Sequence, residues 1–389
     1  MILILKKIQE AISASRESVD LKITETPGDL FVVGCMPRAA LLAWQNVFDE
    51  KLDWLTYHCK DDSGDDVEPS SGQENQSYRF TVQFTSSDVS PHLFSPEGWN
   101  SFLLNEKLLY KAVEVKLAFI ENGFSTKAFT VDRWIDAPFS SGLQEPNKIV
   151  SNSPRKLVRC QSAEFMAPLR IEPWIHISPA TEQSEVITIW KKVAATMIAK
   201  SLPNELYKEE SVQKALLAGQ PPRRLEFGEI QLNESVFQLL QEVAAWIYLE
   251  GEDVEVKHTF LSSELARAWT STDSFCIGLD SRLANALESA RLVYKAHLRS
   301  GSKDTLKALA DLRKALNDDV QKLLQQSKEL SGAIWRDVAI AIGVLAVRFS
   351  VDSVKSNRVL KFAYMPSASK PFFGFVGLLE ARSHLKNRF

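Results

Sequence analysis

The sequence predicts an α+β protein: a mixed N-terminal region with antiparallel strands, followed by a mainly helical C-terminal region that contains a long helical hairpin. Three observations carry this expectation. Tyr78, Phe80, Val82 and Phe84 alternate with Arg79, Thr81 and Gln83, the two-residue period of a half-buried strand. Clusters of Pro, Ser and Gly separate several short apolar runs before residue 180, and from Gln183 onward the apolar spacing changes to three and four.

Ile4, Leu5, Ile8, Ala11 and Ile12 fall on one face of a helix over residues 2–15, suited to packing on a sheet. "DLKITETPGDLFVVGC" places a Pro-Gly turn between two apolar runs and predicts a hairpin. "RAALLAWQNVFDEKLDWLTYH" returns to helical spacing through Leu41, Leu42, Trp44, Val47, Phe48 and Leu52. Residues 61–77 hold six acids and no aromatic, the composition of a solvated loop. Further strands are expected at 112–120, 128–135, 156–160 and 169–178.

Helices are expected at 184–202, at 207–219 and at 233–253, the last opened by an Asn233 cap and closed at Gly251. "AGQPPRR" (218–224) is a linker candidate and "DVEVKHTF" (253–260) reads as one more strand. Leu283, Leu287, Ala290 and Tyr294 form one stripe; Leu306, Leu309, Leu312, Leu316, Val320 and Leu323 form a second, and the turn signal "RSGSKD" lies between them. These stripes predict an antiparallel hairpin, with Ser302 and Asp304 placed to cap its second helix. The expected organisation is an α+β domain at 1–180, a mainly helical region at 181–278, the hairpin at 279–332 and a basic apolar segment at 333–389.

Hydrophobic residues make up 45% and charged residues 24% of 389, which excludes wholesale disorder and a polytopic membrane protein. Four cysteines lie far apart with no C-x-x-C pair, so a reduced, cytoplasmic body is expected. The short apolar start precedes its lysines, unlike an export signal. Charge is unevenly spread: residues 353–389 hold seven basic groups against one acid, Glu380, a surplus of six that leaves −9 on the rest of a chain totalling −3. Such a tail points to an anionic partner, either the inner face of a membrane or nucleic acid.

"WRDVAIAIGVLAVRF" (335–349) contains ten consecutive residues without charge or a hydrogen-bonding side chain. As a helix they span roughly 15 Å, half a bilayer core. Length favours burial in a protein core. The charge layout favours lipid, since Trp335 and Arg348 bound the run and basic residues separate it from "PFFGFVGLL" (371–379). The contact residues singled out are Trp335, Arg348, Lys355, Arg358, Lys361, Lys370, Phe372, Phe373 and Phe375.

Chemistry is signalled weakly. Glu114-x-Lys116 and Glu255-x-Lys257, with Asp253 adjacent to the latter, would place an acid and a lysine on one strand face, as in a Mg²⁺-dependent nuclease. That chemistry needs a second acid earlier in the chain, and none is well placed in sequence. His58 and Cys59 are adjacent, so they point apart. No metal-ligand spacing, dinucleotide fingerprint, P-loop or nucleophile elbow is present, and no cofactor is expected. The layout resembles that of membrane-associated components of bacterial multi-protein systems, including some phage-defence proteins, although no motif carries the likeness. The expectation is a non-enzymatic recognition protein with protein partners, attached to a membrane surface or a partner through its C-terminal region; a nuclease and a soluble scaffold subunit are the alternatives.

Overall fold

The structure, a computed structural model, describes residues 2–135, 152–177, 184–300 and 303–356. They fall into two units, Met1–Gly301 and Ser302–Phe389. The architecture is α+β, with the sheets toward the N-terminus and the long helices toward the C-terminus.

The first unit opens with α1 (Ile2–Ser15), the hairpin β1 (Val19–Thr26) and β2 (Asp29–Cys35), α2 (Arg38–Phe48), β3 (Leu55–Lys60) and β4 (Ser77–Phe84). The strands form an antiparallel sheet in the order β1-β2-β4-β3. Alternation works as expected on β4, where Tyr78, Phe80, Val82 and Phe84 are buried. Ile4, Leu5 and Ile8 of α1, with Leu41 and Trp44 of α2, close over that face as one apolar core. The helical spacing that continued to Leu52 ends at Phe48, and β3 takes the segment beyond.

A second sheet, in the order β5-β6-β8-β7, joins β5 (His92–Leu93), β6 (Glu114–Leu117), β7 (Phe124–Ser125) and β8 (Thr130–Arg133). Its β5, β6 and β8 run parallel, with α3 (Pro96–Leu104) and α4 (Glu106–Leu109) between β5 and β6. The third sheet, β12-β11-β10-β9, pairs β9 (Arg159–Cys160) with β10 (Glu205–Glu209), β11 (Val212–Leu217) and β12 (Arg223–Glu226). Around it lie α5 (Glu185–Lys200), α6 (Glu234–Ala244), α7 (Val254–Ala268) and α8 (Phe275–Ser300). A single apolar core runs from Leu93 to Ala290 through these elements. The second unit contains α9, one unbroken helix from Lys303 to Ser356.

Four further segments differ from the sequence expectation. Residues 207–219 form the β10–β11 hairpin instead of a helix, because Glu210 and Ser211 both take positive φ, 49° and 70°, the backbone of a tight hairpin turn without its usual Gly or Asn. "AGQPPRR" is then the loop joining β11 to β12 within one sheet, not a linker. Residues 169–178 contain a 3₁₀ turn at Glu172–Trp174 in place of a strand, since Pro173 removes a ladder donor. "DVEVKHTF" opens α7. Its inward positions include Lys257 and His258 beside Val254, Leu261 and Leu265, so two polar side chains mask a helical spacing.

Glu25 ties the first sheet to α3. It is buried on β1, and its carboxylate accepts from Phe94 N–H at 2.5 Å, Ser95 N–H at 2.8 Å and the Ser95 hydroxyl at 2.5 Å. Gly98 must lack a side chain, because a methyl group there would overlap that carboxylate. Burial raises the Glu25 pKa from 4.5 to about 8, although the three donors oppose the shift. The folded state therefore holds a proton that the unfolded chain releases near its ordinary value. Stability from this group is complete at low pH and is lost as pH rises through 8. Between pH 6.5 and 8 the loss is expected to be about 2 kcal/mol. Urea denaturation of the wild type should record this fall, and Glu25→Gln should remove most of it; equal pH slopes would contradict the assignment.

Candidate functional site

The first acid–lysine pair lies on β6, where Glu114 and Lys116 share a face as their spacing requires. Lys116 Nζ is 2.6 Å from Glu114 and 3.8 Å from Asp132, which lies opposite it on β8. On the other side, His92 of β5 is in register with Lys116. Its ring packs on Trp134 at 4.8 Å, and burial lowers its pKa to about 4, leaving a neutral imidazole. An acid does stand beside the pair, Asp132, but it follows the pair in sequence instead of preceding it. Among the described residues, no group of three His, Cys, Asp or Glu is arranged to hold a metal ion.

The second pair is not a strand pair. Two residues on a helix stand about 200° apart, so Glu255 faces solvent while Lys257 is buried. Lys257 Nζ donates to the Glu250 carbonyl and lies 5.3 Å from the centre of the Tyr294 ring. Asp253 accepts from the Tyr294 hydroxyl at 2.8 Å. These residues fasten the start of α7 to α8. His258 beside them is neutral, its pKa lowered to about 4 by complete burial.

A groove of 940 Å³ lies where α6 meets the chain around His176, close to the upper size of small-ligand sites. Among the described residues its lining includes the apolar Ile175, Val236 and Leu239, the acids Glu242, Glu250 and Asp280, and Lys127; Glu242 is held by Arg291 at 2.5 Å. The Asn233 side chain caps α6 by accepting from Val236 N–H at 2.7 Å. The helix then widens into a π turn at Ala245–Leu249, whose Ala245 and Leu249 line the groove; such widened turns recur at functional sites. Gln241, buried on α6, accepts from His176 N–H at 3.1 Å and donates to the Trp174 carbonyl at 2.7 Å. His176 lies between Trp190 and Phe237, and burial lowers its pKa. Both ring nitrogens are buried, and among the described residues no side chain is placed to pair with them.

A different surface lies on α9. Between Ile334 and Val347, eight large apolar side chains are exposed, with Trp335 at 70% and Ile340 at 64%. Among the described residues, no helix is long and apolar enough to cross a membrane. Arg348 and Lys355 lie within α9; Arg358, Lys361, Lys370, Phe372, Phe373 and Phe375 fall outside the described residues.

Compared with known proteins, no family model matches this chain, and no curated protein and no solved structure matches it.

The groove depends on Gln241. Gln241→Leu leaves the His176 N–H and the Trp174 carbonyl without their partner. A destabilisation of about 2 to 3 kcal/mol is expected by urea denaturation; a loss below about 0.5 kcal/mol would show that Gln241 does not hold this wall.

Proposed function

We propose that this chain is a non-enzymatic recognition protein that attaches to an anionic membrane surface through its second unit. The observation that carries the reading is the exposed apolar stretch of α9 from Ile334 to Val347. A helix that is apolar all round has no stable resting place in water. Burying each Val, Ile or Leu contributes about 1.5 to 3 kcal/mol.

The charges fit one leaflet better than a full span. Arg336 and Asp337 precede the ten-residue run and Arg348 follows it; the run spans roughly 15 Å, so its flanks stay near the headgroups. The basic chain beyond supplies attraction worth about 1 kcal/mol per Lys or Arg near an anionic surface. The groove around His176 supports the recognition half of the reading, since an apolar lining beside Glu250 and Asp280 suits a ligand or segment that is both apolar and cationic.

Flotation of the full chain with neutral and with anionic vesicles tests attachment. The protein is expected to float with anionic vesicles and to lose at least about tenfold in bound fraction on Ile340→Asp with Val344→Asp, as burial energies of this size imply. Replacing Lys355, Arg358 and Lys361 by Glu should weaken binding to anionic vesicles without affecting the neutral control. Failure to float with either vesicle would overturn the proposal.

A further inference from the structure

In the first sheet, α1 and α2 close over one face, and the strand register composes the opposite one. Lys22 of β1, Val33 of β2, Arg79 of β4 and Lys60 of β3 are paired in succession, so their side chains form one row across the sheet. The next row is Thr24, Phe31, Thr81 and His58, and the third is Thr26, Asp29, Gln83 and Thr56. Lys22, Arg79 and Lys60 are exposed. Among the described residues, none of the three has an ion-pair or side-chain hydrogen-bond partner.

The cationic row itself holds no acid. Asp29, two rows away, accepts from Gln83 Nε2 at 2.8 Å. The loop after Lys60 is acidic, but its Asp61 carboxylate turns onto Ser63 and Asp65 N–H at 2.9 and 3.0 Å, and its Asp66 lies 4.0 Å from His58.

We propose that this face binds single-stranded nucleic acid, with the phosphate backbone along the cationic row and the bases over the row that contains Phe31. Four strands about 4.8 Å apart make the row about 14 Å long, enough for a few phosphates, whose charge Lys and Arg neutralise with release of counterions. Phe31 stands on a central strand about 7 Å from that row, and a ring on an open sheet is what an unpaired base stacks on. Thr24, Thr81 and Gln83 add donors and acceptors for base edges. The face is a plain sheet with no helix or ribbon standing out of it to enter a duplex groove, so the bases must be unpaired. A bilayer suits this face less well. Among the described residues its one exposed large apolar side chain is Val19 at a corner, while Phe31 and Val33 are half-buried between their neighbours.

Fluorescence anisotropy of the full chain in mild detergent, with a short labelled single strand of mixed sequence supplied as RNA and as DNA, tests the proposal. Binding to at least one strand is expected, weakening as salt rises. Lys22→Ala with Arg79→Ala should weaken it at least about tenfold at low salt and flatten the log–log salt slope by about 1.4, the value for two phosphates on a single strand. Phe31→Leu should weaken it about tenfold with the slope unchanged, because stacking is lost and charge is not. Should Phe31→Leu fold poorly, the exposed Lys22 and Arg79 decide alone. Absence of binding to both strands would overturn the inference. So would a Lys22→Ala, Arg79→Ala variant that binds as tightly as wild type while replacement of Lys355, Arg358 and Lys361 by Glu abolishes binding, which would assign the strand to the C-terminal tail. Equal affinity for a duplex, or loss of flotation with anionic vesicles in the Lys22→Ala, Arg79→Ala variant without loss of strand binding, would likewise contradict it.

Discussion

The buried carboxylate of Glu25 fixes how the first unit is assembled. It reaches from β1, an edge strand of the first sheet, to the start of α3, where three donors converge on it. The N-terminal end of a helix favours negative charge, while full burial favours the neutral acid, and burial prevails. From there the register is passed on by hard contacts. Trp99 of α3 donates to the Val186 carbonyl on α5 at 3.0 Å. On that helix Trp190 packs against Phe237 and against His176. The groove wall is thus connected to the first sheet through one carboxylate and two indoles.

The second unit obeys the opposite physics. Where the first unit hides its large side chains, with six tryptophans among its most deeply buried residues, α9 leaves its large apolar side chains from Ile334 to Val347 in the open among the described residues. No interior is available to them within α9 itself, and a bare helix of such residues gains little from propensity alone. An all-round apolar run with charges at its ends suits the edge of a bilayer. In the proposed function, recognition and attachment are then carried by separate units.

Much of this was legible in the sequence. Period-two alternation identified β4, and the Pro-Gly turn identified the β1–β2 hairpin. Spacings of three and four identified α1, α2, α5 and α6, including the Asn233 cap. The hidden elements have different causes, among them polar side chains at interior positions and a hairpin turn built without Gly or Asn. Lys257 and His258 face inward on α7 because each finds a carbonyl, Glu250 O and Ser201 O. Glu210 and Ser211 adopt the positive φ that a reader assigns to Gly or Asn. The groove was not legible, since Lys127, His176, Gln241 and Asp280 are scattered over more than 150 residues and only tertiary packing gathers them. Asp132 is not legible beside Lys116 in the sequence because only the parallel β6–β8 pairing brings it there, from downstream.

In the proposed function, residues 338–347 of α9 are where this protein meets a bilayer. Hydrogen–deuterium exchange of the full chain, with and without anionic vesicles, reads it directly. Amides in 338–347 are predicted to gain protection when anionic vesicles are added, while the rate at residues lining the groove stays the same. Exchange in 338–347 that is unchanged by vesicles would contradict the account.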